Sequence, residues 1–118
     1  TKIRLWNATK NTALADDVKI ASSFRSRFKG LLGRKSLPTG TGLLIMPCNS
    51  IHSCFMKFNF DAVFLDNDLR IVYLIESMQP FKISPVVHEA QMVLEIPEGT
   101  ISKGRATVGD QIVFHGKT

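Results

Sequence analysis

Long hydrophobic runs are missing from this chain of 118 residues. The longest, such as "AVFL" and "IVYLI", fall far short of the roughly 20 apolar residues needed to span a bilayer, so no transmembrane helix is expected. The opening residues do not join a basic stretch to an apolar one, as a secretory signal does. The expectation is therefore a cytoplasmic protein with no membrane partner. Cysteine is scarce, with only Cys48 and Cys54. An extended chain would hold them about 20 Å apart, against the roughly 7 Å a disulfide tolerates, so free thiols in a reducing compartment are expected. No glycine-rich phosphate loop occurs, because "LPTGTG" lacks both the Lys-Ser/Thr pair and a following helix. No repeat, linker or low-complexity stretch interrupts the sequence, and its length suits one domain over residues 1–118.

What is present is the composition of an ordinary globule, 44% hydrophobic and 21% charged. The charge is uneven: residues 1–59 hold ten Lys/Arg against two Asp/Glu, and residues 60–118 hold five against eight. Such asymmetry invites an anionic partner. Basic surfaces mostly supply solubility, however, and the aromatics do not interleave with the cations as base stacking requires. Nucleic acid is not the expected partner; a small molecule is.

Alternation and turn chemistry place the elements. "KIRLWN" (2–7) alternates like a strand, and "ALADDVKIA" reads as a second. A helix is expected from Ser22 or Ser23 to Leu32, capped by serine, with Phe24, Phe28, Leu31 and Leu32 on one face and Gly33 at its stop. On that helix Arg25 and Lys29 point to solvent. Arg27 sits at the edge of the apolar face, where its head can reach inward. Gly30 gives room for a close neighbour. Segments 43–46, 51–56, 60–65, 69–76 and 91–96 read as strands, "DND" (66–68) as a hairpin turn, and "PEGTISKG" (97–104) as one helical turn. The fold class expected is mainly β (α+β): a small barrel-like or rolled antiparallel sheet with one packed amphipathic helix.

Chemistry concentrates in "PCNSIHSCFMKFNFDAVFLD" (47–66). On a strand over 51–56, His52, Cys54 and Met56 share one face, and Ile51, Ser53 and Phe55 the other. Neither face is polar throughout, which suits a strand covered on both sides or lining a cavity. Asp61 is flanked by apolar neighbours and must find a partner, for which the Arg27 guanidinium is the chemical candidate. Cys48, His52 and Cys54, with His88 or His115, offer zinc-ligand types. The close ligand pairs of structural zinc sites are missing, so no metal and no cofactor is assigned. Cys48 four residues before His52, with Asp61 to orient the imidazole, has the residue types of nucleophilic catalysis. No family-specific catalytic signature surrounds them.

With "FRSRFKGLLGRKSLPTGTGLLIMPCNSIHSCFMKFNFDAVFLDNDLRIV", then "VLEIPEGT" and "VGDQI", the chain resembles the prokaryotic (bacterial and archaeal) family catalogued as domain of unknown function 192, from about residue 14 to residue 114. The likeness rests on an Arg-x-x-Gly-Leu helix end, an Ile-His-(Ser/Thr)-x-x-Met segment, an Asp-x-x-Phe-Leu-Asp strand and late Leu-Glu and Gly-Asp turns. It departs at Ser53, where threonine is frequent, and at Phe60, where an aliphatic is usual. The resemblance implies a compact, mostly β domain with a helix and no established activity. It places the family's polar motif residues on Arg27, His52, Asp61, Asp66, Glu95 and Asp110, with Met56 beside them. Asp66, Glu95 and Asp110 are expected to be structural. The function expected is small-ligand binding in a pocket around Arg27, His52 and Asp61, with Cys48 and Met56 alongside. The alternatives are a Cys/His-dependent enzyme, and a structural Arg27–Asp61 clamp with partner binding through the basic helix.

Overall fold

Two-residue alternation decides which face each strand buries, and here it produces a sheet covered on both sides. The computed structural model describes residues 2–22, 36–54 and 56–117. Its elements are β1 (Lys2–Asn7), β2 (Thr12–Ala15), β3 (Asp17–Ala21), β4 (Thr41–Ile45), β5 (Phe60–Leu65), β6 (Ile71–Met78), β7 (Met92–Pro97), helix α1 (Thr100–Gly104) and β8 (Ile112–Lys117). They form a three-stranded sheet in the order β2-β1-β8 and a five-stranded sheet in the order β3-β4-β7-β5-β6. The mainly β class expected from the sequence holds. The sheet is mixed rather than wholly antiparallel, because β3 and β4 run parallel.

Several local expectations meet a different outcome. The single strand read over "ALADDVKIA" divides at Asp16 into β2 and β3, which enter different sheets. The strand expected over 51–56 reduces to one isolated bridge, His52 to Ile83. A turn in which Met56 N–H donates to the Ser53 carbonyl at 3.1 Å bends the chain there. Beyond Ser22, the amphipathic helix expected from Ser22 or Ser23 to Leu32, with Arg25, Arg27, Lys29 and Gly30, lies outside the described residues, as does Phe55.

The core divides by strand parity. Leu44, Val63, Leu65, Met92, Leu94 and Ile96 face one way, toward Leu5, Leu14, Ile101 and Ile112 of the smaller sheet and α1. Leu43, Ile45, Phe60, Ala62, Phe64 and Val93 face the other way, toward Ile51, Met56, Val87 and Ala90. We call these the α1 face and the loop face. Interior strand β5 is consequently buried at every residue, as the near-continuous apolar runs of doubly covered strands require. Gly42 permits the close approach of β2: a Cβ there would stand 3.2 Å from Ala15 Cβ and 3.0 Å from Leu94 Cδ1.

Candidate functional site

Asp61 is the polar residue in an otherwise apolar strand, and its carboxylate is fully buried. One oxygen accepts the N–H of Ser77 and the other the N–H of Ile101, each at 2.9 Å. Ile101 is the second residue of α1, whose N-cap is Gly99, a residue with no side chain to offer. The acid on β5 thus supplies from beneath the acceptor that helix N-termini otherwise take from a capping side chain. Ser77 holds a left-handed backbone with φ 54°, and the same carboxylate fixes its amide. Across the sheet Asp61 pairs with Ile96, which belongs to the α1 face. His52 lies between Ile51 and Met56, which both pack on the loop face. The central sheet therefore stands between Asp61 and His52. A common pocket for the two, as expected from the sequence, is not what the geometry brings together. Arg27, the third member of that pocket, lies outside the described residues.

The acid on the loop face is Glu95. It is fully buried and stands opposite Ala62 on β5 and Leu43 on β4, both in the loop-face cluster. Met56 is buried there too, and Cys48 packs at its border. His52 is half-buried, and its Nδ1 accepts the Cys54 N–H at 3.4 Å. Neither cysteine forms a disulfide. Cys48 Sγ donates to the Ser50 carbonyl at 3.2 Å. Cys48, Asn49 and exposed His88 line a shallow recess of about 230 Å³. Among the described residues, no three His, Cys, Asp or Glu side chains gather as metal ligands would; His115 lies on β8 opposite Arg4, in the smaller sheet.

A much larger concavity opens beside α1. A cleft of about 560 Å³ lies between β2 and α1, and Trp6, Thr12, Ala13, Asp16, Glu98 and Lys103 are among the residues that line it. Its volume falls within the range of roughly 300–1,000 Å³ common to small-ligand pockets. Trp6 stands opposite Ala13 in the β1–β2 ladder, so the smallest chiral side chain leaves room beside the largest aromatic. The Arg4 guanidinium lies 5.4 Å from the Trp6 ring centroid, and its Nε donates to Asp16 at 2.9 Å. Thr12 Oγ donates to the Gly104 carbonyl at 3.1 Å, tying the end of α1 to β2. Asp61 holds the start of the same helix, so both ends of this wall are fixed.

Asp66 and Asp110 organise turns. One Asp66 oxygen accepts the N–H groups of Asp68 and Arg70, each at 2.9 Å. Asp110 accepts from Asn7 Nδ2, Lys10 Nζ and the Thr107 N–H and hydroxyl. Burial alone would raise the Asp110 carboxyl, but the bonds from Asn7, Lys10 and Thr107 outweigh it and hold the group well below the usual carboxylate range. The sequence reading missed Asn7, whose buried amide also accepts the N–H groups of Thr9 and Lys10. It also missed Ser53 as a brace: the fully buried hydroxyl donates to the Gln79 carbonyl at 2.6 Å and accepts the Lys82 N–H at 3.0 Å. A polar residue recurring inside an apolar alternation was the available signal in both cases. No motif marked the cleft, whose lining comes from five separate stretches of chain.

Fold and site together define a mainly β protein with a doubly covered central sheet and a ligand-sized cleft beside a short helix. The chain belongs to DUF192, the family described as Uncharacterized ACR, whose model matches residues 6–114. It is similar to a UPF0127 protein of Pyrococcus horikoshii, 32% identical over 111 residues, covering 90% of this chain and 94% of that relative. A UPF0127 protein of Pyrococcus furiosus is 29% identical over 116 residues, covering 94% and 97%. Among solved structures, a protein of unknown function from Novosphingobium aromaticivorans matches with a TM-score of 0.78 at 18% identity, covering 94% of this chain and 82% of that one. A putative transcription regulator from Sinorhizobium meliloti matches with a TM-score of 0.79 at 22% identity, covering 95% and 91%. At those identities the likeness speaks for the fold alone. The family and relatives carry no described activity, and no helix among the described residues is long and apolar enough to cross a membrane.

Proposed function

We propose that this chain is a single-domain small-ligand-binding module whose ligand lies in the cleft between β2 and α1. The observation that carries this reading is the cleft of about 560 Å³ whose helical wall is fixed at one end by buried Asp61 and at the other by Thr12. A pre-formed wall avoids the ordering cost that a mobile one would charge against affinity. The lining combines apolar surface from Trp6, Leu14 and Pro97 with the Lys103 ammonium, the Thr12 hydroxyl and the Asp16 and Glu98 carboxylates. That mixture suits a small molecule with an apolar body and polar substituents of both characters. In this reading Asp61 positions the site and does not touch the ligand. Two cysteines that form no disulfide support a cytoplasmic setting for it.

A fragment library screened by two-dimensional amide NMR tests the proposal. The expected result is saturable shifts at the Trp6 indole, Thr12 and Lys103, with a thermal midpoint that rises as fragment is added. Ligand at about 100 times its dissociation constant adds roughly 2.7 kcal/mol. An Ala13→Phe variant, which fills the space beside Trp6 from an exposed position, should fold normally and lose these responses. Fragments that instead gather at Cys48, Asn49 and His88 would overturn the assignment.

A further inference from the structure

The segment that follows β6 exposes large apolar side chains: Phe81 and Ile83 are each 77% exposed and Val86 is 56% exposed. A slack loop would fold such groups inward to recover their burial energy. This one is braced against doing so. Ser53 bonds it four times: its hydroxyl donates to the Gln79 carbonyl and accepts the Lys82 N–H, its N–H donates to the Lys82 carbonyl, and its carbonyl accepts the Phe81 N–H. Ile51 adds two more, accepting the Ser84 N–H at 2.8 Å and donating to Ser84 Oγ at 2.9 Å. The Gln79 carbonyl, the Phe81 and Ser84 N–H groups and both backbone groups of Lys82 are thus spent inward, while Phe81 and Ile83 stay exposed. Phe81 holds φ 62°, a conformation that costs a bulky residue on the order of 1 kcal/mol or more and persists only where the surroundings enforce it.

Beside this ridge runs a groove of about 260 Å³, lined by residues that include Tyr73, Ile75, Met78, Lys82, Ile83 and Pro85. One wall is β6, the last strand of the five-stranded sheet. The outward N–H and C=O of Ile71 are occupied, bonding the Asp110 carbonyl and the Gly109 N–H. Past Ile71, no strand among the described residues pairs with that edge.

We propose that this groove docks an extended, acidic and apolar segment of a partner protein, added along β6 from Val72 to Ile75. Strand addition to a sheet edge gives affinity through the main chain and specificity through pockets for alternate side chains. The ridge supplies such pockets between Tyr73, Ile75 and Ile83. Lys82 is the one charged side chain among the described residues lining the groove, so the complementary segment places a carboxylate against it. A second copy of the chain fits less well. Symmetric antiparallel pairing of β6 about Tyr73 would match Arg70 with Glu76 of the other copy, yet it needs the Ile71 edge that Gly109 and Asp110 already occupy.

The test uses the whole chain and two short probe peptides, one alternating valine with glutamate and one alternating valine with lysine. Titration followed by two-dimensional amide NMR should give saturable shifts confined to β6 and residues 79–86. The glutamate peptide should bind about ten-fold or more tighter than the lysine peptide. Lys82→Glu, a change at an exposed position, should reverse that preference while the spectrum stays dispersed. Equal affinity for the two peptides, shifts elsewhere, or no shift at saturating peptide would overturn the proposal. Self-association abolished by Ile83→Ser would replace the partner with a second copy. Sedimentation with phosphatidylglycerol vesicles that depends on Phe81 and Ile83 would replace it with a lipid surface.

Discussion

Asp61 on β5 and Glu95 on β7 are both 0% exposed, and their strands are hydrogen-bonded neighbours. They nevertheless serve opposite sides of the molecule. Asp61 faces α1 and spends its oxygens on the backbone of Ser77 and Ile101. Glu95 faces the side that Ile51, Met56, Val87 and Ala90 cover. In a sheet buried on both faces, a carboxylate's partners follow from strand parity and not from proximity in sequence. His52, nine positions before Asp61, is separated from it by the sheet, whereas Glu95, far along the chain, shares its side.

The largest expected effect tests the α1 side of this contrast. Asp61→Ala removes the acceptor for two backbone N–H groups and leaves both without a partner, a cost of about 3–5 kcal/mol at the rates typical of charge-assisted and unsatisfied buried bonds. Urea denaturation measures it, and a loss below about 1 kcal/mol would mean the clamp is not structural. Ser53→Ala examines the loop side. It deletes one donor and one acceptor at a fully buried hydroxyl and should cost about 1–3 kcal/mol. Amide exchange should accelerate at Phe81 and Lys82 while Ile101 stays protected.

A smaller effect appears only in acid. Asp110 is held below its ordinary range in the folded state, so its contribution is present above the unfolded carboxylate value of about 3.9 and is lost as pH falls beneath it. Urea midpoints measured from about pH 7 down to about pH 2 should decline, and Asp110→Asn should flatten that decline. The smallest effect belongs to the Arg4–Asp16 pair, whose Asp16 side chain is 59% exposed. Asp16→Asn should change stability by less than about 0.5 kcal/mol, as exposed ion pairs do. Its sharper use is in the cleft, where it should alter fragment affinity.

Much of the scaffold was legible before any coordinates. β1, β5, β6 and β7 coincide closely with runs whose alternation or continuous apolar character announces them. The 66–70 turn follows from Asp66, and the short helix from the Pro-Glu-Gly-Thr sequence, although Gly104 proves to be its last residue and Arg105 takes the left-handed cap. The family resemblance identified the same family as the match over residues 6–114. What the sequence could not supply was pairing. Parity within β5 was visible, but which face met α1 depended on long-range contacts between strands far apart in the chain. His52 and Asp61 therefore looked like neighbours. Asp61 was correctly singled out as an acid in need of a partner, yet local pattern cannot reveal that backbone amides at 77 and 101 would serve. The cleft left no local trace because β1, β2 and α1 meet only in the fold.

The most direct measurement is amide hydrogen exchange on the intact chain and on Asp61→Asn, which keeps the side chain's size while removing its charge and one acceptor. If Asp61 braces the wall of the cleft, protection should fall at Ser77 and through residues 100–104, with Ser53, Phe81 and Lys82 unchanged. Loss of protection around His52 and Ser53, with α1 untouched, would contradict the assignment of Asp61 to the α1 face and remove the support beneath the proposed ligand site.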